Sequence, residues 1–207
     1  MINIINHFDC NSDPLRFNEK DATITLKKGV GILSKLDIYY WVSAGTALGM
    51  IRDKNFIEHD TDIDVETCDI ERTDEIKTAF LDGGFNLYRE MYYSYMGDKI
   101  ISQYAFVDKE TSVLFDIYFY KKHPVLYFNI NEHGVLTLPA KFVNYRCFRY
   151  FDKAGVAVRT LEPVEEYLEW RFGKDWKIKK DKKEAWQKDA PALLDFVFPN
   201  ITIKGVN

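Results

Sequence analysis

Apolar residues at Leu26, Val30, Leu33 and Leu36 recur with helical spacing and predict a helix over residues 21–36. Gly29 and Gly31 fall inside it and weaken its intrinsic propensity. Residues 38–44, IYYWVSA, are aromatic and β-branched and read as a strand. A short helix over 46–52 is expected directly after Gly45, and TDIDVET at 61–67 alternates as a strand does. Residues 71–81 read as a helix closed by Gly83 and Gly84. The middle is mostly β, with strand-like runs at 85–96, 100–107 and 113–121 and a hairpin pairing 125–130 with 135–138. A further strand is expected at 142–149. Residues 162–173 then make a well-punctuated helix. Pro163 suits its first turn, and Glu165 and Glu166 suit its positive end. Val164, Tyr167, Leu168 and Phe172 form one apolar face, and Gly173 can close the helix. The lysine-rich segment 174–188 reads as solvated surface.

No repeat, low-complexity run or Gly/Ser/Pro linker divides the 207 residues, so a single domain over 1–207 with its core at about 22–176 is expected. Hydrophobic content of 46% with 29% charged residues describes a globular chain. The 15% aromatic fraction fits a strand-rich core. A net charge of −4 argues against a long nucleic-acid partner. Cys10, Cys68 and Cys147 are widely spaced and odd in number, which supports neither a disulfide framework nor a zinc knuckle. Reduced thiols, the lack of a basic start before an apolar run, and the lack of a spanning segment together lead us to expect a cytoplasmic protein.

The chemistry concentrates in residues 44–66, AGTALGMIRDKNFIEHDTDIDVE. Side chains two apart on a strand share a face, so Asp62 and Asp64 would project together while Ile63 and Val65 enter the core. Adjacent carboxylates raise each other's pKa unless a positive group sits between them. A hard divalent cation meets that need, magnesium first and manganese in its place. Asp116 stands alone in the apolar run VLFDIYFY, where an acid is costly unless paired or metal-bound. If its strand neighbours residues 61–67, Asp116 completes the site; otherwise it sits on the solvated face of an edge strand. Gly45 lets the backbone approach a ligand, and Thr46 adds a hydroxyl donor where a helix begins.

These residues resemble the nucleotidyltransferase superfamily, with its hydrophobic-Gly-[Gly/Ser], a spacer, Asp-hydrophobic-Asp and a later aspartate. Within it the chain is more similar to the LicD and fukutin-related phosphotransferase family. The matching stretches are GTALGMIR, NFIEH, DTDID, FDIYFY around Asp116, and EEYLEWRFGKDW. They fall between Trp41 and Trp176, while residues 68–112 carry no assignable motif. Glu58-His59 stands where the family commonly has Pro-Trp, and Thr61 where many members have another aspartate.

The resemblance implies an α+β fold with a nucleotidyltransferase-like mixed sheet, flanking helices and a C-terminal helical segment. It implies transfer of a phospho-alcohol group, such as phosphocholine or ribitol phosphate, from a CDP-activated donor to a sugar hydroxyl of a glycan, releasing CMP. Asp62, Asp64 and Asp116 would hold one or two Mg²⁺ ions, and Asp116 would approach the attacking hydroxyl. Gly45 and Thr46 would hold donor phosphate. Arg52, matched in the family, would clamp phosphate or form a salt bridge with an acid. Asp60 would orient the acceptor, reach a metal through water, act as general base or cap a turn. His59 would touch a phosphate or lie on the surface. Two rival readings are a nucleotidyltransferase that passes a nucleoside monophosphate from an NTP to a small molecule, sugar or protein, and a binding module that keeps the fold without catalysis.

Overall fold

A computed structural model describes residues 2–7, 17–95, 97–131, 134–143, 147–151, 154–180, 192–194 and 201–205. Cys10 and the lysine-rich stretch beyond Lys180 lie outside them.

In chain order the elements are β1 (Ile2–Asn6), α1 (Glu19–Lys35), β2 (Tyr40–Val42), α2 (Ala44–Leu48), β3 (Asp62–Thr67), α3 (Thr73–Asp82), β4 (Phe85–Tyr95), β5 (Asp98–Asp108) and β6 (Leu114–Phe119). After them come β7 (Lys121–Lys122), β8 (Leu126–Asn131), β9 (Gly134–Pro139), α4 (Ala140–Val143), β10 (Cys147–Phe151), β11 (Val156–Thr160), α5 (Val164–Phe172), β12 (Leu193–Leu194) and β13 (Ile201–Gly205). A π-turn over Gly49–Asp53 extends α2.

The main sheet runs β13-β1-β4-β5-β6-β3-β2. It is mixed: β3 lies parallel to β6 and β13 parallel to β1, and the other neighbours are antiparallel. A four-stranded antiparallel sheet, β12-β9-β8-β7, and the hairpin β10-β11 complete the β structure. The fold is the α+β arrangement expected, a mixed sheet with flanking helices.

α1 forms because its apolar stripe finds the sheet. Asn18 caps it by accepting from the Asp21 N–H at 3.0 Å, and Ala22, Leu26, Val30 and Leu33 are buried. Gly29 has a packing reason: a Cβ there would run into the Phe115 ring on β6. The helices α1 and α3 cover one face of the sheet, where Phe80, Phe85, Phe106 and Phe115 form a stacked and edge-on aromatic group with centroids 4.7–6.4 Å apart. Ile63 and Val65 of β3 are fully buried, so the alternate residues of β3 must face the other way.

The structure corrects several sequence expectations. The strand expected at 142–149 is split: Phe142 and Val143 end α4, and pairing starts only at Cys147. The helix expected after Gly45 starts one residue before it, at Ala44, with Ser43 as its N-cap residue. Ala44 has a φ of 41°, in the left-handed region that costs an alanine about 1 kcal/mol. The chain turns there from β2 into α2 with no glycine. Strands β1, β11 and β13 lie outside the elements expected from the sequence.

Candidate active site

The register of three strands builds the site. Asp64 on β3 is directly opposite Asp116 on the parallel strand β6, so both carboxylates leave the sheet side by side. Asp62 precedes Asp64 by two residues and shares its face. Ligand oxygens of Asp62, Asp64 and Asp116 all lie within 4.8 Å of one another. Asp62 is half-buried, whereas Asp64 and Asp116 are 6% and 1% exposed.

Each buried acid is held by specific donors. The Gly45 N–H donates to Asp64 Oδ2 at 3.2 Å. The Asp64 N–H donates to Thr46 Oγ1 at 2.9 Å. The Gly-Thr pair therefore serves the acid strand: Gly45's donor goes to Asp64, and the fully buried Thr46 accepts from β3. A Cβ at position 45 would sit 2.6 Å from Asp60 Oδ2, so a larger residue there would push the Asp60 carboxylate aside. Asp60 is thus the half-buried acid above α2, with Oδ1 accepting from the Thr61 N–H at 3.1 Å.

Asp116 is held from the opposite side. Arg89, Ala105, Asp116 and Asp64 form one transverse row across β4, β5, β6 and β3. Ala105 is small, and Arg89 reaches past it to Asp116 Oδ2 at 3.6 Å. Gln103, on the same face of β5, donates from Nε2 to Asp116 Oδ2 at 2.7 Å. Neither Arg89 nor Gln103 was singled out in the sequence. The available signal was a lone amide in the apolar run IISQYAFV.

The electrostatics follow from this crowding. Burial, then the charges of Asp62, Asp60 and Asp116, push the Asp64 carboxyl well above the ordinary aspartate range. The alternation continues to Glu66, which is buried and accepts from Trp41 Nε1 at 2.8 Å and from the Tyr120 hydroxyl at 3.3 Å. Burial raises the Glu66 carboxyl, while the nearby Arg171 opposes the shift.

Two other expected residues stand elsewhere. Arg52 closes a bidentate pair on Asp53, with its Nε and a terminal nitrogen 3.0 and 2.9 Å from the two carboxylate oxygens. Lys179 joins the same carboxylate at 3.2 Å. Of the two roles expected for Arg52, the structure gives a salt bridge, with Asp53 and not with the clustered acids. His59 is exposed on the turn before β3, outside the carboxylate group.

The model of the family described as LicD/FKTN/FKRP, nucleotidyltransferase domain, matches residues 37–158, more than half of the chain. The chain belongs to the LicD/FKTN/FKRP family. The match runs from before β2 into β11, and so contains Gly45, Asp60, the three clustered aspartates, Arg89 and Gln103. Among curated proteins the chain is similar to ribitol-5-phosphate transferase FKTN of Macaca fascicularis, 27% identical over 89% of this chain and 39% of the relative. It is also 27% identical to the human protein of the same name, over 83% of this chain and 36% of the relative. An uncharacterized protein of Rickettsia typhi is 28% identical over 75% of this chain and 49% of the relative. The chain thus spans about two fifths of the length of the FKTN relatives. Among the described residues of this LicD-family chain, no helix is long and apolar enough to cross a membrane.

Proposed function

We propose that this chain is a metal-dependent phosphotransferase that moves a phospho-alcohol group from a CDP-activated donor to a sugar hydroxyl of a glycan, releasing CMP. The single observation that carries the reading is the group of Asp62, Asp64 and Asp116 oxygens within 4.8 Å, inside the family-matched segment. Ribitol phosphate is the cargo we favour, because two of the similar proteins bear the name ribitol-5-phosphate transferase. Phosphocholine is the second choice.

The residues fit a divalent ion. The donor set is three carboxylate oxygens, hard ligands that suit Mg²⁺, with Mn²⁺ as substitute. Burial first and then the neighbouring carboxylates raise Asp64, and a bound cation would offset both. When bound, such an ion neutralises charge on phosphoryl oxygens and lowers the pKa of a coordinated hydroxyl. The remaining work falls to the chain. Thr46 and the Gly45 N–H fix Asp64, while Arg89 and Gln103 fix Asp116. Preset geometry matters because phosphoryl transfer depends on positioning and charge neutralisation more than on covalent chemistry by the protein. Asp60, half-buried above Gly45, is the acid we assign to the acceptor hydroxyl. The half-buried Cys68 carries a free thiol, which suits a reducing, cytosol-like compartment.

The test is incubation with CDP-ribitol, CDP-choline or CTP and Mg²⁺ with a sugar acceptor, followed by mass spectrometry. CMP release with an acceptor gain of the phospho-alcohol mass supports the reading. Pyrophosphate release from CTP with an acceptor gain of CMP would move the chain to nucleotidyl transfer. Full activity of Asp62→Asn or Asp64→Asn with Mg²⁺ would remove the mechanism.

A further inference from the structure

We propose that Arg171 binds an oxyanion of the donor's diphosphate, so that α5, beyond the family-matched segment, completes the active centre. The proposal deepens the phosphotransferase reading above and rests on it for the identity of the donor.

Arg171 and Tyr167 are one helical turn apart on α5 and share a face. That face packs on α2. Arg171 itself lies in the fields of both Asp64 and Glu66. Its side chain is only 11% exposed, yet its nearest acid oxygen, Glu66 Oε1, is 4.0 Å away. That is beyond hydrogen-bond distance. Among the described residues the Arg171 guanidinium donates no hydrogen bond. Glu66 meanwhile already accepts from Trp41 and Tyr120.

A guanidinium has five N–H donors in a planar fork. A phosphate oxyanion satisfies the fork in a bidentate manner. Arg171 lies next to Glu66, two residues along β3 from Asp64, so a diphosphate held at the acids by Mg²⁺ and reaching Arg171 would meet positive charge from both sides. The contrast with Arg52 is direct: that guanidinium is closed on Asp53, whereas the donors of Arg171 are available.

The experiment is calorimetric titration of the full chain with CDP and, separately, with inorganic pyrophosphate, each with Mg²⁺. Removing Arg171 alone would leave Glu66 buried without its countercharge, so the informative variant is Glu66→Gln with Arg171→Met. Glu66→Gln alone is the control, and Arg171→Lys is a second variant that keeps the charge and loses the fork. We expect the double variant to bind both anions at least about tenfold more weakly than Glu66→Gln, with Mg²⁺ affinity unchanged. Arg171→Lys should weaken both by several-fold, and it carries the test if the double variant does not fold. Pyrophosphate binding that depends on Arg171, without binding of CDP, would keep the anion site and overturn the CDP donor. Anion affinities within about twofold across wild type, the double variant and Arg171→Lys would overturn the proposal and leave Arg171 as the countercharge of Glu66. Wild type binding neither anion with Mg²⁺ would overturn both this proposal and the reading beneath it.

Discussion

Neutralising one acid of the cluster should stabilise the metal-free protein and remove its response to metal, and Asp62→Asn is the cleanest such change. Asparagine keeps the shape, and Asp62 is half-buried, so little packing is disturbed. Its ligand oxygen lies within 4.8 Å of those of Asp64 and Asp116. At that separation two unit charges repel by about 1 kcal/mol at the dielectric of water and by about 3.5 kcal/mol at an effective value of about 20. Two such pairs at the lower figure, eased by the raised protonation of Asp64, give a relief of about 1–2 kcal/mol. For a chain of this size that is a rise in melting midpoint of about 2–8 °C without metal. Mg²⁺ at about a hundred times its Kd should add about 2.7 kcal/mol to wild type, and a tenfold weaker Kd in the variant would halve that gain. The assay is a pair of thermal melts, with EDTA and with Mg²⁺. A metal-free midpoint at or below wild type, with equal Mg²⁺ gains in both proteins, would refute the reasoning. It would mean that the acids neither repel one another nor share an ion.

The same crowding fixes a pH dependence. The folded Asp64 carboxyl titrates above its unfolded value, so below the ordinary aspartate range it is neutral in both states and costs nothing. As pH rises from about 4 toward the raised value, the unfolded chain ionises first and the metal-free fold loses stability relative to Asp64→Asn. Melts of both proteins in EDTA across that window should diverge, and parallel curves would contradict it. Thr46→Val leaves the buried Asp64 N–H without its acceptor and should cost about 1–3 kcal/mol, with Thr46→Ser restoring most of it. A loss below about 0.5 kcal/mol in denaturant melts would show that the hydroxyl does not hold β3. Gln103→Leu should weaken Mg²⁺-dependent CDP binding several-fold in calorimetry by releasing Asp116, and unchanged affinity would deny Gln103 a positioning role. Arg52→Gln, by contrast, should change CDP affinity less than about threefold, and a loss of tenfold or more would return Arg52 to the phosphate.

What the sequence reveals of this site is whatever follows from period. Asp62, Asp64 and Ile63, Val65 are assigned to opposite faces by alternation alone, and the structure keeps them there. The lone Asp116 is legible as a costly residue, but its partner is not, because parallel pairing of β3 with β6 is decided about 50 residues away by the crossover through α3, β4 and β5. The same limit hides Arg89. Its charge finds Asp116 only because two registers place Arg89, Ala105 and Asp116 in one row and because Ala105 is too small to block the path. An arginine in YREMYY and an alanine in QYAFV carry no local mark of that relation. Arg52 shows the limit from the other side: local matching drew attention to it, while its neighbour Asp53 offered the nearest carboxylate and accepts from two of its N–H groups. Arg171 sits in a helix that the sequence foretells, although Pro163 precedes its first turn as the N-cap residue; helical period reports only which residues share a face, not which acid they meet. Periodicity thus specifies the carboxylates, and tertiary register supplies the cations that answer them. For that reason the acids of such a site are found first in a sequence, and the arginines only in the fold.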